Sequence, residues 1–153
     1  MQAYSYWYAS NVPADLETLG RAVKQVQYRH HRALDARLAA AGTTLAQWDA
    51  LRAISRNPGA SGHALAVETF QSDQSFGTLA NRLAAQDLIT RRAGRGRRIE
   101  HHLTPAGKKV LRAGRPIAER VFTTSFAQLS EKERSTLLDL LLRIVRGAEL
   151  EAP

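Results

Sequence analysis

Apolar residues along the chain recur with a helical period that is interrupted once, by a short β-like stretch, and each break in the pattern is marked by capping or turn chemistry. Leu16, Leu19, Val23, Val26, His30, Leu34 and Leu38 repeat every three or four residues, which predicts one helix over 15–41, stopped by Gly42. Such a helix is a rod of about 40 Å, longer than a small core requires, so an oligomer interface is expected of it. Leu45, Trp48, Leu51 and Ile54 form the stripe of a second helix over 44–56. Thr44 and Gln47 have capping-box spacing at its start, and Asn57-Pro58-Gly59 ends it. A short helix follows from Ser61 to about Thr69, burying Leu65 and Ala66. A fourth begins at Ser72 or Asp73, both good N-caps, with Phe76, Leu79 or Ala80, and Leu83 as its apolar stripe.

The period then shortens. Leu88-Ile89-Thr90-Arg91-Arg92 and Arg98-Ile99-Glu100-His101-His102-Leu103 are β-capable runs around Ala93-Gly94-Arg95-Gly96-Arg97, a hairpin with a small, basic tip. Thr104-Pro105 opens the next helix, expected to run to about Gln128 with an irregularity near Gly114 and Pro116. Ser130 and Glu133 give a second capping box. The last helix carries Leu137, Leu138, Leu140, Leu141, Leu142, Ile144 and Val145, too much apolar circumference for a lone surface helix, so a partner must cover it. The expected fold is mainly α with a small β-hairpin wing. A winged helix-turn-helix spans 45–104, and a helical dimerisation region is built from 15–44 and 105–147. An N-terminal arm, 1–14, carries three Tyr and a Trp and is expected to dock rather than to behave as a disordered tail.

Composition narrows the function. The 153 residues suit one domain, and the 44% hydrophobic content suits a folded one. The chain has no cysteine, which removes disulfides, Cys-ligated metal and thiol chemistry. No apolar run has the roughly 20 residues of a membrane span, and the start lacks a signal-peptide layout, so a cytoplasmic protein with no membrane partner is expected. The net charge is +8, and Leu88–Arg115 alone holds nine basic residues against one acid, Glu100, so that segment carries the whole excess. Charge concentrated in this way points to a polyanion. The fourth helix presents beside it a polar, almost uncharged face of Gln74, Ser75, Thr78, Asn81 and Arg82, side chains suited to base edges and phosphates.

Other chemistry finds little footing. His30-His31 and His101-His102 are adjacent pairs whose side chains diverge on a helix or strand, so neither chelates a metal, and no metal or cofactor is expected. No Gly-x-Ser-x-Gly, Walker loop or Gly-x-Gly-x-x-Gly is present, and the chain is not expected to be an enzyme. Trp48 and Arg52 share a helix face, an aromatic wall beside a cation.

The order of elements and three local motifs resemble the MarR family of bacterial transcriptional regulators over about residues 16–146. Ala41-Gly42-Thr43-Thr44-Leu45-Ala46-Gln47-Trp48-Asp49-Ala50-Leu51 is similar to the family's Gly-Leu-Thr-x-x-Gln-x-x-x-Leu, with Thr43 in place of Leu. Leu83-Ala84-Ala85-Gln86-Asp87-Leu88-Ile89-Thr90-Arg91 is similar to Leu-Glu-x-x-Gly-Leu-Val-x-Arg, with Asp87 in place of Gly. Leu103-Thr104-Pro105-Ala106-Gly107 matches Leu-Thr-x-x-Gly. The wing departs from the family in lacking the Asp that normally helps hold its arginine, which predicts a mobile tip over 94–97.

The resemblance implies a homodimer on a pseudo-palindromic DNA duplex, acting as a repressor released by a small molecule. The fourth helix then lies in the major groove, with Gln74, Ser75 and Thr78 on base edges and Asn81 or Arg82 on backbone or base. Arg95, Arg97 and Arg98 reach the minor groove from the wing. Arg91 and Arg92 point to opposite faces of the strand, so one of them meets phosphate. The family's small aromatic or anionic effectors bind between the dimer region and the winged domain, where His30 or His31 with Trp48 and Arg52 are the candidates. The alternative is a basic winged-helix architectural or RNA-binding protein without an effector.

Overall fold

The computed structural model describes residues 14–149, with side chains to residue 147. The expected aromatic arm therefore lies, but for its last residue, outside the described residues. Helix α1 (Leu16–Leu38) is capped by the Asp15 carboxylate, which accepts from the Thr18 N–H. It passes into a single 3₁₀ turn (Ala39–Ala41), so the regular helix is slightly shorter than the periodicity predicts, and Gly42 ends it at φ 70°. That left-handed conformation is open to glycine without the Cβ penalty other residues meet.

Helix α2 (Leu45–Arg56) starts with the expected reciprocal box. The Thr44 hydroxyl accepts from the Gln47 N–H at 3.2 Å, and Gln47 Oε1 accepts from the Thr44 N–H at 3.3 Å. Ser61 caps α3 (Gly62–Glu68), and Ser72 rather than Asp73 caps α4 (Asp73–Ala85). Strands β1 (Ile89–Ala93) and β2 (Ile99–Leu103) pair antiparallel with Arg91 opposite His101 and Arg92 opposite Glu100.

Thr104 caps α5 (Pro105–Ser125), with Pro105 at its first turn where no hydrogen bond is lost. The irregularity expected near Gly114 and Pro116 is absent, for α5 is one continuous helix that ends at Ser125, short of Gln128. Gly114 has another use. It is buried, and a Cβ there would overlap the Trp48 indole, so the small residue serves helix packing and not a break. Ser130 and Glu133 form the second box ahead of α6 (Glu131–Glu149).

The core is shared by α1 to α5 and β1. Leu34 and Leu38 of α1, Trp48, Leu51 and Ile54 of α2, Leu65 of α3, Phe76 and Leu83 of α4, Ile89, and Leu111 and Val121 of α5 are all buried in it. Trp48 is 4% exposed and donates its Nε1–H to the Leu111 carbonyl at 3.2 Å, tying α2 to α5. Burying an indole contributes on the order of 2–3 kcal/mol, provided its N–H finds such an acceptor.

Two surfaces remain uncovered. Leu16, Leu19, Val23 and Val26 on the first half of α1 are exposed, as are Leu138, Leu140, Leu141, Leu142, Ile144 and Val145 on α6. On α6 only Leu137 is even half-buried among the described side chains.

Candidate nucleic-acid interface

The winged unit is held together by the residues of the second and third motifs, and the reason lies in one packing contact. Gly107, on the first turn of α5, sits directly on the Leu88 carbonyl, where any Cβ would overlap it. The Thr104 hydroxyl donates to the Asp87 carbonyl at 2.6 Å and accepts from the Gly107 N–H at 3.0 Å. The Thr104 N–H donates to the Leu88 carbonyl at 3.1 Å. So the Thr and Gly of one motif grip the turn in the middle of the other. Asp87, at the position of the family glycine, takes φ 55°, the left-handed backbone that turn needs.

At the other end the hairpin is anchored to the loop after α2. The Gly59 N–H donates to the His101 carbonyl, and the His101 N–H to the Ala60 carbonyl. The His101 ring is buried edge-on to Phe76 of α4, and its Nδ1–H donates to the Ala60 carbonyl at 3.0 Å. Burial lowers its pKa from the ordinary histidine value, with the nearby positive Arg91 adding to the shift and the bond to Ala60 opposing it. Burial thereby disfavours the charged imidazole inside the base of the wing.

The polar face of α4 is open. Gln74, Ser75, Thr78, Asn81 and Arg82 are all exposed, and so are Arg91, Arg92, Arg95, Arg97 and Arg98 of the hairpin. Several already have partners. Ser75 is bonded to the Ser72 hydroxyl at 2.9 Å, and the Thr78 hydroxyl donates to the Gln74 carbonyl at 3.1 Å. Arg91 donates to Asn81 Oδ1 at 2.8 Å, linking strand to helix. Arg98 donates to the Gly59 carbonyl at 2.8 Å, so this arginine braces the wing against the loop after α2. The tip is a turn closed by the Gly94 N–H on the Arg98 carbonyl, with Gly96 at φ 67°. Glu100, the only acid of the hairpin, lies over Gly94 and bonds His102 at 3.4 Å, leaving Arg95 and Arg97 without a carboxylate partner among the described residues.

Two features escaped sequence reasoning. His63 of α3 bonds the Asp73 carboxylate at the first residue of α4, at 3.0 Å. Phe70, in the turn between those helices, is 97% exposed and takes φ 55°. Periodicity marks neither, because both follow from how α3 meets α4.

The expected effector residues separate into two groups. His30 turns to α5, bonding the Ser125 hydroxyl with its ring edge-on to Phe122 and Phe126. Trp48 is a core residue whose ring lies 5.1 Å beneath the Arg52 guanidinium. Arg52 is paired with Asp49 at 3.0 Å. Burial raises the Asp49 pKa, and the positive charges of Arg52, His31 and Arg56 pull it back. Arg52 thus joins Asp49 to the Trp48 ring, with His31 near enough to act on the Asp49 charge, and spacing alone did not single out Asp49.

Known proteins share this architecture. The model of the MarR family matches residues 41–99, from the last residue of the 3₁₀ turn through α2–α4 and β1 to the first residue of β2. A putative transcriptional regulatory protein for the hcr operon of Thauera aromatica is 34% identical over 107 residues. That match takes in 69% of this chain and spans 64% of the Thauera protein. The crystal structure of a probable transcriptional regulator from Pseudomonas aeruginosa superposes with a TM-score of 0.73 at 29% identity, over 82% of this chain and 95% of that one. A Mycobacterium tuberculosis MarR family protein in complex with salicylic acid superposes with a TM-score of 0.68 at 22% identity, over 89% and 98% of the two chains. The same protein is known in complex with DNA, with a TM-score of 0.68. With its three motifs interlocked around one hairpin, this chain matches the MarR family model across α2 to the wing and is similar in fold to MarR-family winged-helix regulators.

Proposed function

We propose that this protein is a cytoplasmic DNA-binding transcriptional regulator that acts as a homodimer on a pseudo-palindromic duplex. The observation that carries the reading is the placement of charge. The entire net +8 falls between Leu88 and Arg115, next to the open polar face of α4. A major groove admits α4, and the unpaired Arg95 and Arg97 suit the negative potential of the neighbouring minor groove. The Mycobacterium relative seen on DNA supports the same mode. Two copies supply the apolar cover that α1 and α6 lack, and a dimer sets its half-sites about 10 bp apart.

The test is direct. Arg97→Ala is expected to weaken binding to a duplex enriched from a random DNA pool at least about tenfold with folding intact, and to make affinity less steep in salt. Unchanged affinity at physiological salt overturns the wing assignment. Equal affinity for random DNA or RNA favours the architectural alternative, against which the uncharged face of α4 argues.

The regulator is a repressor released by a small aromatic or anionic molecule, a reading supported by the salicylic acid complex of the Mycobacterium relative. In this chain His31, Arg52 and the rim of Trp48 are where a carboxylate would enter, by displacing Asp49 from Arg52. His30, packed among Phe122 and Phe126, lines the adjoining α1–α5 contact.

A further inference from the structure

Asn81 faces the same open surface as Gln74 and Thr78, yet its acceptor oxygen is already taken. Arg91 of β1 donates to Asn81 Oδ1 at 2.8 Å, a bond that joins α4 to the wing. Arg91 lies on the hairpin face turned to α4, opposite His101, which is buried against Phe76. The guanidinium itself is exposed, and no carboxylate pairs with it among the described residues.

The chemistry of the partner matters. A carboxylate at position 81 would orient the guanidinium equally well and would also neutralise it. An amide carbonyl orients it and leaves the full charge to be used elsewhere. His101 faces the same side from β2, directly across from Arg91, and its burial disfavours a competing cation there.

We infer that Asn81 is a positioning residue, not a base reader: it holds the Arg91 guanidinium as a charged clamp on one DNA phosphate at the junction of recognition helix and wing. The inference rests on the DNA-binding reading above. The amide acts through Arg91, and its neutrality preserves the charge that the phosphate meets.

The experiment uses the full chain and a duplex enriched from a random DNA pool, with affinity measured across a salt series for wild type, Arg91→Ala, Asn81→Ala, Asn81→Asp and the double Ala variant. Thermal unfolding of each variant verifies folding. Arg91→Ala is expected to lower affinity about tenfold and to reduce the salt slope by about one per protomer. Asn81→Asp is expected to reproduce that loss of slope while raising thermal stability, because it creates the neutralising pair. Asn81→Ala is expected to keep the slope and lower affinity a few-fold, and to add nothing once Arg91 is gone. If Asn81→Ala exacts its full penalty in the Arg91→Ala background, Asn81 touches DNA itself and the inference is overturned. If Asn81→Asp keeps the wild-type slope, the inference likewise fails. Both outcomes leave the DNA-binding reading standing, whereas a wild-type chain that binds no duplex overturns that reading and the clamp together.

Discussion

Gly114 of α5 lies so close under the Trp48 indole that no side chain fits between them, and the same indole donates its N–H to Leu111 three residues earlier. One turn of α5 thus receives both the ring and its polar edge. Gly114→Ala is expected to force the indole off its acceptor and destabilise the fold by about 2–3 kcal/mol, the upper part of the usual range for overpacking a close contact. In a chain of this size that lowers the Tm by roughly 5–10 °C, readable by calorimetry or circular dichroism. A Gly114→Ala protein as stable as wild type would show that α2 and α5 can part without cost.

Phe70 and Asp87 are, among the described residues, the two with left-handed backbone that are not glycine. Both side chains are exposed, so little packing is lost on removing them. Phe70→Gly and Asp87→Gly are each expected to stabilise the fold by about 0.5–1 kcal/mol, the relief of the left-handed penalty less the extra freedom of glycine in the unfolded chain. The check is the denaturant midpoint at constant m-value.

Stability should fall on mild acidification. His101 has a lowered pKa in the fold, so below the unfolded value of about 6.5 the unfolded chain takes up a proton that the folded one refuses. The loss runs from there down to the folded pKa, and above the unfolded value His101 contributes no slope. A His101→Gln variant should show a flatter stability profile over that window. An unchanged profile would mean that the ring is solvated at the base of the wing.

Asp49 competes with any carboxylate for Arg52. Asp49→Asn removes that competitor and is expected to tighten binding of salicylate several-fold. Fluorescence of Trp48 in a Trp7→Phe background is the readout, since these are the only two tryptophans. No response from either protein would remove the basis for an effector at this face.

The apolar surfaces of α1 and α6 predict their own test. Leu141→Glu or Ile144→Glu should shift the protein to a monomer by sedimentation, with the winged unit still folded, because neither residue enters the core.

Much of this architecture could be read from residue spacing because the determinants are local. The Thr44, Ser61, Thr104 and Ser130 caps each act within one turn of helix, and the stripes of α2 and α4 recur at fixed intervals. Where packing decided, spacing misled. Gly114 and Pro116 have the chemistry of a break, yet α5 runs through them since the glycine is spent on Trp48. Arg98 reads as a free wing cation but is turned back to Gly59. The bonds of Asn81 to Arg91 and of His63 to Asp73 join residues 10 apart on different elements, a distance at which periodicity carries no information.

The contact of Gly107 with Leu88 has a mechanical consequence. With no side chain between them, and Thr104 tying both to Asp87, the wing and α5 cannot slide past one another. They form a single crank, with α5 as a shaft of about 30 Å and the hairpin as its arm. The bearing is the Trp48 contact halfway along the shaft. Whatever tilts the shaft at that bearing must swing the arginine-bearing tip, and in a dimer two such cranks would set the distance between the tips.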